Sequence, residues 1–488
     1  MTDAVAPAST GLTFLLVGLD ERARETFETT LRADTGRLAP TETIVVEHDD
    51  AGGIAAALER AASPFVSFVT RGLRVPSGAI DAVLAEFEVH SATDVLYTDE
   101  AVERPGVGIE PVLKPDPAPE RLRNQYFWGD LVIFRTEVLR RLGGPREGFG
   151  SVTMYDLALR ATREPLVVRH LAVVGAIRDE ASSLGAVAEA DVPAARLALE
   201  EHLAATGGGT VRSVGLDGVH DTRRAVQGEP LISIVIPTRG QFLPGGEQSY
   251  LVDAVGSIVE RSSYPNYEIV VVIDDVADAG VVERITELAG DRLHLVPWTE
   301  SFNFSGKINL GVLNSIGEYV LILNDDVRVL TPDWLEAMLA LAQLPNAGMS
   351  GCMLYYEDDT IQHAGHHYWR GDTIHVGMNV PRGSAGPTEG YRLEREVVGI
   401  TAACAMMRRS VYLEVGGMTT LLPGAFNDVD LCLKVLQQGY DILWTPHAEL
   451  YHYESKTRDA RVRHYEVTTA WGRWEHRMHQ PGFWPYPV

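Results

Sequence analysis

From Leu231 onward, short β-branched apolar runs alternate with helical stretches, and this alternation narrows the possible fold more than any other feature. Leu231-Ile-Ser-Ile-Val-Ile236 ends at Pro237 and reads as a buried strand. A helical stretch over Tyr250 to Ser262 follows, then a strand from Tyr267 to Ile273 and a helix near Val281 to Leu288. A short strand at Leu293 to Val296, a helix near Lys307 to Ile316 and a strand from Tyr319 to Leu323 continue the pattern. Runs this continuous suit strands covered on both faces, so an α/β domain with a mostly parallel sheet is expected. Such sheets bind ligands beyond the carboxyl ends of their strands. The polar residues that follow each run are therefore the first place to look for chemistry.

The N-terminal half repeats the plan more weakly. Phe65-Val-Ser-Phe-Val-Thr-Arg-Gly-Leu-Arg-Val75 aligns with Tyr319 to Val329, and Phe134 to Gly144 aligns with Met407 to Gly417, both ending in Gly-Gly. Tyr155-Asp-Leu-Ala-Leu-Arg160 aligns with Val429-Asp-Leu-Cys-Leu-Lys434. Three matches in one order, at offsets of 254, 273 and 274, point to a tandem duplication. Between the halves, Val192 to Leu203 reads as a helix, with Asp191 at its N-cap position and Pro193 in its first turn. The glycine-rich stretch from Gly207 to Pro230 reads as a linker.

Charge and cysteine content remove several function classes. Lys plus Arg is 42 against 67 for Asp plus Glu, a net charge of −25 that repels nucleic acid and anionic lipid at long range. An anionic ligand is still admissible where a metal ion or a local basic group reverses the sign. The cysteines, Cys352, Cys404 and Cys432, are odd in number and lack Cys-x-x-Cys spacing, which argues against a disulfide scaffold. Residues 1–10 lack the marks of a signal peptide, and no apolar run is long enough to span a bilayer. A soluble protein of a reducing compartment is expected, cytoplasmic or peripheral at the inner face of the cell membrane.

Three clusters have the residue types for chemistry. Asn324-Asp325-Asp326 follows a strand directly, and its adjacent carboxylates suit a divalent cation beside a diphosphate, although on the triplet alone a plain Asx turn is the favoured reading. Phe426-Asn-Asp428-Val-Asp430 opens a helix, with Asn427 or Asp428 at the N-cap; a carboxylate there is either a cap or a general base. Glu449-Leu-Tyr-His452 delivers a histidine, a residue that ligates metals and more often only hydrogen-bonds. His363, His366 and His367 resemble a zinc site but lack a cysteine or carboxylate at structural-zinc spacing, and read as crevice lining.

Together, in this order, these phrases resemble the catalytic domain of glycosyltransferase family 2, with its GT-A fold. Ser233-Ile-Val-Ile-Pro-Thr238, Tyr264-Pro-Asn-Tyr-Glu-Ile269, Phe302-Asn-Phe-Ser305 and Leu323-Asn-Asp-Asp326 carry the likeness. So do Thr360-Ile-Gln-His-Ala-Gly365, Phe426-Asn-Asp-Val-Asp-Leu431, Trp444-Thr-Pro446 and Glu449-Leu-Tyr-His452. The bacterial members that build cell-surface polysaccharides are the most similar. The resemblance implies a divalent metal, Mg²⁺ or Mn²⁺, held by Asp326 and His452. It implies a UDP-, dTDP- or GDP-linked sugar bound by Thr238, Asp274, Asp275, Asp325 and Asn309. Asp428 matches the base of an inverting displacement, and Asn427, Asp430 and His363 fall on the acceptor side or support the base. Asn427 stands where the family has Glu, so Asp428 has a neutral neighbour that repels its ionised form less. The acceptor implied is a glycan or a lipid-linked glycan.

The expected fold class is therefore α/β, two tandem GT-A-like (Rossmann-like) domains with mostly parallel sheets. The division is 1–10 as a disordered N-terminus, 11–185 as a degenerate copy, 186–229 as helix and linker, 230–460 as the catalytic domain, and 461–488 as an aromatic tail packed on it. In the degenerate copy Thr70-Arg71-Gly72 replaces the Asn-Asp-Asp triplet and Met154 replaces Asp428, so metal and base carboxylates are missing at those positions. A catalytically inactive partner that binds nucleotide or glycan within a polysaccharide-assembly complex is the alternative, favoured by Asn427 and Asn324.

Overall fold

The computed structural model describes residues 11–34, 41–47, 51–178, 185–243, 246, 248–453, 462–479 and 482–486; residues 1–10, expected to be disordered, lie outside these. The chain divides into two compact units, Met1–Arg223 and Arg224–Val488.

The second unit is built on a ten-stranded sheet. Its main path runs Leu293–Trp298, Tyr267–Asp274, Ile232–Thr238, Tyr319–Leu323, Cys404–Arg408, Ala347–Tyr355, Asp441–His452 and Val327–Val329. The first four strands are parallel, and Cys404–Arg408 runs against its neighbours. The continuity of the apolar runs has a simple cause. Ile232, Ile234 and Ile236 pack to one face with Leu251, Val255, Ile258, Trp334 and Met338. Val235, Val270 and Val272 pack to the other with Ile308 and Val312. With both faces buried, neither half of the alternation has to be polar. Gly311 lets the helix Phe304–Leu313 press onto the sheet, since a Cβ there would lie 2.3 Å from Val235 Cγ1. At the end of the chain, the helix His464–Trp474 and the stretch through Trp484 bury Trp474, Met478 and Trp484 against the unit. No helix among the described residues is long and apolar enough to cross a membrane.

The first unit holds a seven-stranded sheet. Its strands Thr41–Val46, Leu12–Val17, Phe65–Val69, Val132–Arg135, Val95–Arg104 and Val168–Arg178 follow one another in that order. They match, in order and direction, Tyr267–Asp274, Ile232–Thr238, Tyr319–Leu323, Cys404–Arg408, Ala347–Tyr355 and Asp441–His452. The segment expected as a linker is mostly structured within this unit. Val192–Ala205 packs Ala195, Ala198 and Leu199 on Tyr155 and Leu159, and Gly209–Val214 pairs with His220–Arg224. Asp191 precedes the helix as expected but does not cap it: its Oδ2 accepts from Ser151 N at 2.7 Å and Ser151 Oγ at 2.6 Å. A tertiary partner with two donors outcompetes the local cap.

His220 sits at the root of that hairpin, 2% exposed, stacked on Tyr155 with ring centroids 5.3 Å apart. Neither ring nitrogen has a hydrogen-bond partner among the described residues. Burial pushes its pKa down to about 4. The unfolded chain thus takes up a proton below about pH 6.5 that the folded chain refuses until about pH 4, so stability falls across that window as pH falls. His220→Phe keeps the stacking and removes the titration. Denaturant melts from pH 7 to 4 are expected to show wild type losing roughly 2 to 3 kcal/mol more than the variant. Parallel curves would contradict the assignment.

Candidate active site

The corner after Leu323 is set by strand register. The chain leaves the sheet, turns through Asn324, Asp325 and Asp326, and re-enters as Val327–Val329, which pairs antiparallel with Leu450–His452, Val327 opposite His452. This pairing brings His452 Nε2 to 3.3 Å from Asp326 Oδ1 and 3.0 Å from Asn324 Nδ2. Gln362 fixes the histidine tautomer. Its Nε2 donates to the His452 carbonyl at 3.1 Å, which turns its Oε1 onto His452 Nδ1 at 2.6 Å. The Nε2 lone pair therefore faces the corner, where it accepts from Asn324 Nδ2 with Asp326 Oδ1 beside it. Asn324 Oδ1 is buried and has no hydrogen-bond partner among the described residues. A carboxylate, an unprotonated imidazole nitrogen and an amide oxygen fit a divalent cation such as Mg²⁺ or Mn²⁺.

Thr238, ending the central strand, lies on the other side of the triplet. Its Oγ1 donates to Asp325 Oδ2 at 2.6 Å and accepts from Gly240 N at 3.0 Å. Lys307 reaches the same strand end from its helix, donating to the Thr238 carbonyl at 2.6 Å and pairing with Asp274. It is 1% exposed, and burial pulls its pKa below the usual lysine range against the pull of the Asp274 and Asp325 carboxylates. These groups line a pocket of ≈ 330 Å³. Gly424 to Val429, with Asn427 and Asp428, line it too, as do His366 and His375. Asp428 stands half-buried in the first turn of the helix Asn427–Gln437, its Oδ1 accepting from Val429 N at 2.8 Å. The N-cap is neither Asn427 nor Asp428 but Phe426, in a left-handed conformation with φ 58°.

The sequence model described as Glycosyl transferase family 2 matches residues 233–416. The C-terminal unit carries a glycosyltransferase family 2 domain. An uncharacterised protein (y4gI) of Sinorhizobium fredii is 34% identical over 452 residues, 88% of this chain and 49% of the relative. The O-antigen biosynthesis protein RfbC of Myxococcus xanthus is 28% identical over 412 residues, 81% of this chain and 31% of the relative. The chain thus spans half or less of these relatives' lengths. Among solved structures, GalNAc-T7 with UDP, GalNAc and Mn²⁺ aligns with TM-score 0.40 and 14% identity, over 50% of this chain and 48% of that one.

Of the residues assigned through the likeness to family 2, the pocket gathers Thr238, Asp325, Asp326, Asn427, Asp428 and His452. Others lie outside its lining. Asp274 is tied to Lys307, and Asp275 is exposed beyond the strand end. Asn309 is a structural clamp: its Oδ1 accepts from Met418 N at 2.9 Å and from the Tyr412 hydroxyl, and its Nδ2 donates to Met418 O at 2.9 Å. Asp430 points away from the pocket, to Thr419, Arg473 and Trp474. His363 is buried behind the lining, accepting from Thr401 N at 3.2 Å through Nε2.

Three nitrogens, from His363, His366 and His375, lie within 4.8 Å of one another. His375 takes the place expected for His367, because in the hairpin His366–Trp369 and Asp372–His375 it stands opposite His366, whereas His367 alternates to the other face. Proton counting makes His363 and His375 a hydrogen-bonded pair rather than two free ligands. His363 Nε2 is occupied by Thr401 N–H, so its proton lies on Nδ1, 3.3 Å from His375 Nδ1. Burial, with the neighbouring rings, holds His363 well below the usual histidine range and His366 at about 3. Lys307 was the residue that motif reading overlooked. Its only sequence signal is its position four residues after Asn303, whose side chain caps the helix through Gly306 N at 2.8 Å.

In the first unit the corresponding strand end is occupied differently. Thr70 and Arg71 line a cavity of ≈ 50 Å³ with Glu100, Asp130, Tyr155 and Arg178. The cavity does contain carboxylates, Glu100 from the strand Val95–Arg104 and Asp130 from the bend before Val132–Arg135, both paired with cations. Lys114 lies 3.0 Å from Glu100, Arg71 lies 3.2 Å from Asp130, and Arg178 lies 3.6 Å from Glu100. Burial, with Glu100 adding to it, raises Asp130 to about 6.

Asn309→Ala separates support from ligand contact. It strands the Met418 amide and the Tyr412 hydroxyl, and is expected to lower stability by about 1 to 3 kcal/mol while leaving affinity for nucleoside diphosphate with Mn²⁺ unchanged. Isothermal titration alongside a thermal melt reads both. Lost affinity with unchanged stability would return Asn309 to the donor site.

Proposed function

We propose that this chain is an inverting, metal-dependent glycosyltransferase that moves a sugar from a nucleoside-diphosphate donor to a glycan or lipid-linked glycan acceptor in cell-surface polysaccharide synthesis. The observation that carries this reading is that Asp326, His452 and Asp428 line one pocket: the groups of a cation site and a carboxylate base in the same cavity. The family match over 233–416 and the similarity to an O-antigen biosynthesis protein support it. The net charge and the family's known members favour work in the cytoplasm, at or near the inner membrane face, with no nucleic-acid partner.

Asp326, His452 and Asn324 would hold Mg²⁺ or Mn²⁺, which when bound neutralises the diphosphate and the charge that builds on it as the leaving group departs. Thr238 and Asp325, tied to each other, present an oxygen-rich edge to the nucleoside. Lys307 holds that edge in register through the Thr238 carbonyl. Asp428 accepts the proton of the acceptor hydroxyl at its free carboxylate oxygen as that hydroxyl attacks the anomeric carbon. The first unit, with matching strand order and a self-neutralised strand end, reads as a duplicated copy that no longer holds a metal.

A panel of UDP-, dTDP- and GDP-sugars in a thermal-shift assay, with and without Mn²⁺, tests the reading. One donor is expected to raise Tm only with metal, and Asp326→Ala to abolish the rise. Asp428→Asn should keep the shift and lose at least 100-fold in turnover, within the range typical of a general base. If no donor and no nucleoside diphosphate shifts the protein with metal present, the inactive binding partner becomes the better reading.

A further inference from the structure

The wall that carries Asp428 and the helix that holds it both lie beyond the matched family segment, which ends at 416. Gly424 to Val429 line the pocket, yet this segment makes a strained turn: Phe426, which is not glycine, sits at φ 58°. Such a conformation persists only where the surroundings over-determine it. The surroundings here are the C-terminal helix His464–Trp474, which begins well beyond residue 416.

Glu466 is 1% exposed. Its Oε1 accepts from both Gly424 N and Ala425 N, each at 2.9 Å, and its Oε2 accepts from Arg463 N at 3.1 Å. One buried carboxylate thus joins the first turn of the C-terminal helix to the turn before the base. Asp430, two residues after the base and 0% exposed, makes the reciprocal link: Oδ1 accepts from Arg473 Nη1 at 2.6 Å and Trp474 Nε1 at 2.9 Å. Between the two links, the Phe426 and Trp471 rings meet edge to face, centroids 4.8 Å apart at 81°.

We propose that the C-terminal helix is a clamp that positions the base, with Glu466 as its positioning residue. This rests on the reading of Asp428 as the base. The metal corner is built from other strands and has no contact with Glu466 in its bonding pattern. The clamp therefore acts on the chemical step and not on donor binding.

The test uses the full chain. Glu466→Ala removes all three accepted bonds; Glu466→Gln keeps an oxygen for Gly424 and Ala425 and turns its amide on Arg463 N–H. With the donor found in the thermal-shift panel, Glu466→Ala is expected to lower kcat 10- to 100-fold, about the effect of a misplaced reacting group, with donor KM within twofold. Glu466→Gln should recover most of kcat. Hydrogen exchange by mass spectrometry should show faster exchange in Glu466→Ala over 424–428, with the 319–329 peptides unchanged. A global rise in exchange, or a KM rise with unchanged kcat, overturns the clamp. If Glu466→Ala does not fold, Trp471→Ala is read in the same way. If no donor is turned over, the exchange measurement decides alone: unchanged protection over 424–428 overturns the clamp. The function reading fails separately, on the donor panel.

Discussion

The candidate site depends on one short antiparallel pairing, Val327–Val329 against Leu450–His452. Without it the triplet Asn324-Asp325-Asp326 would be an ordinary turn leaving a strand. With it, a carboxylate and an imidazole nitrogen are held 3.3 Å apart, Gln362 fixes the imidazole tautomer, and the Asn324 amide donates to Nε2. Strand pairing supplies the free energy that keeps these groups together.

The rest of the pocket is arranged around that corner by the doubly covered sheet. The parallel strands end at one edge, so Thr238 and Asp325 meet there from neighbouring strands. A helix brought close by Gly311 delivers Lys307 to the same edge. Another part of the lining comes from the turn before the helix Asn427–Gln437. The buried carboxylates Glu466 and Asp430 tie it to the end of the chain. An acidic chain can thus afford two more buried acids here, because each is met by several donors rather than by a single counter-charge.

The two units share one topology and differ at their strand ends. Strand order and direction agree between them. At the turn, Arg71 stands in the place of a carboxylate, and the first unit meets its own Glu100 and Asp130 with Arg71, Lys114 and Arg178.

Patterns that depend on neighbours in sequence were legible without coordinates. The continuous apolar runs implied the covered sheet, and the strand-to-polar transitions located Thr238, Asp325 and Asp326. Asp428, marked at a helix start, also lines the pocket. What depended on partners distant in sequence was not legible. Asp191 turned to Ser151 instead of its own helix, Asn309 and Asp430 became supports, and His375 rather than His367 joined the histidine cluster. In each case a side chain with several permitted partners chose the one that tertiary packing brought within hydrogen-bonding distance. The amino-acid order alone set which strands would be buried and where polar residues would leave the sheet, because burial follows local periodicity. Which of those polar residues face the pocket, and which merely hold it, was settled by register and long-range contact, because a hydrogen bond is worth forming only where its partner is.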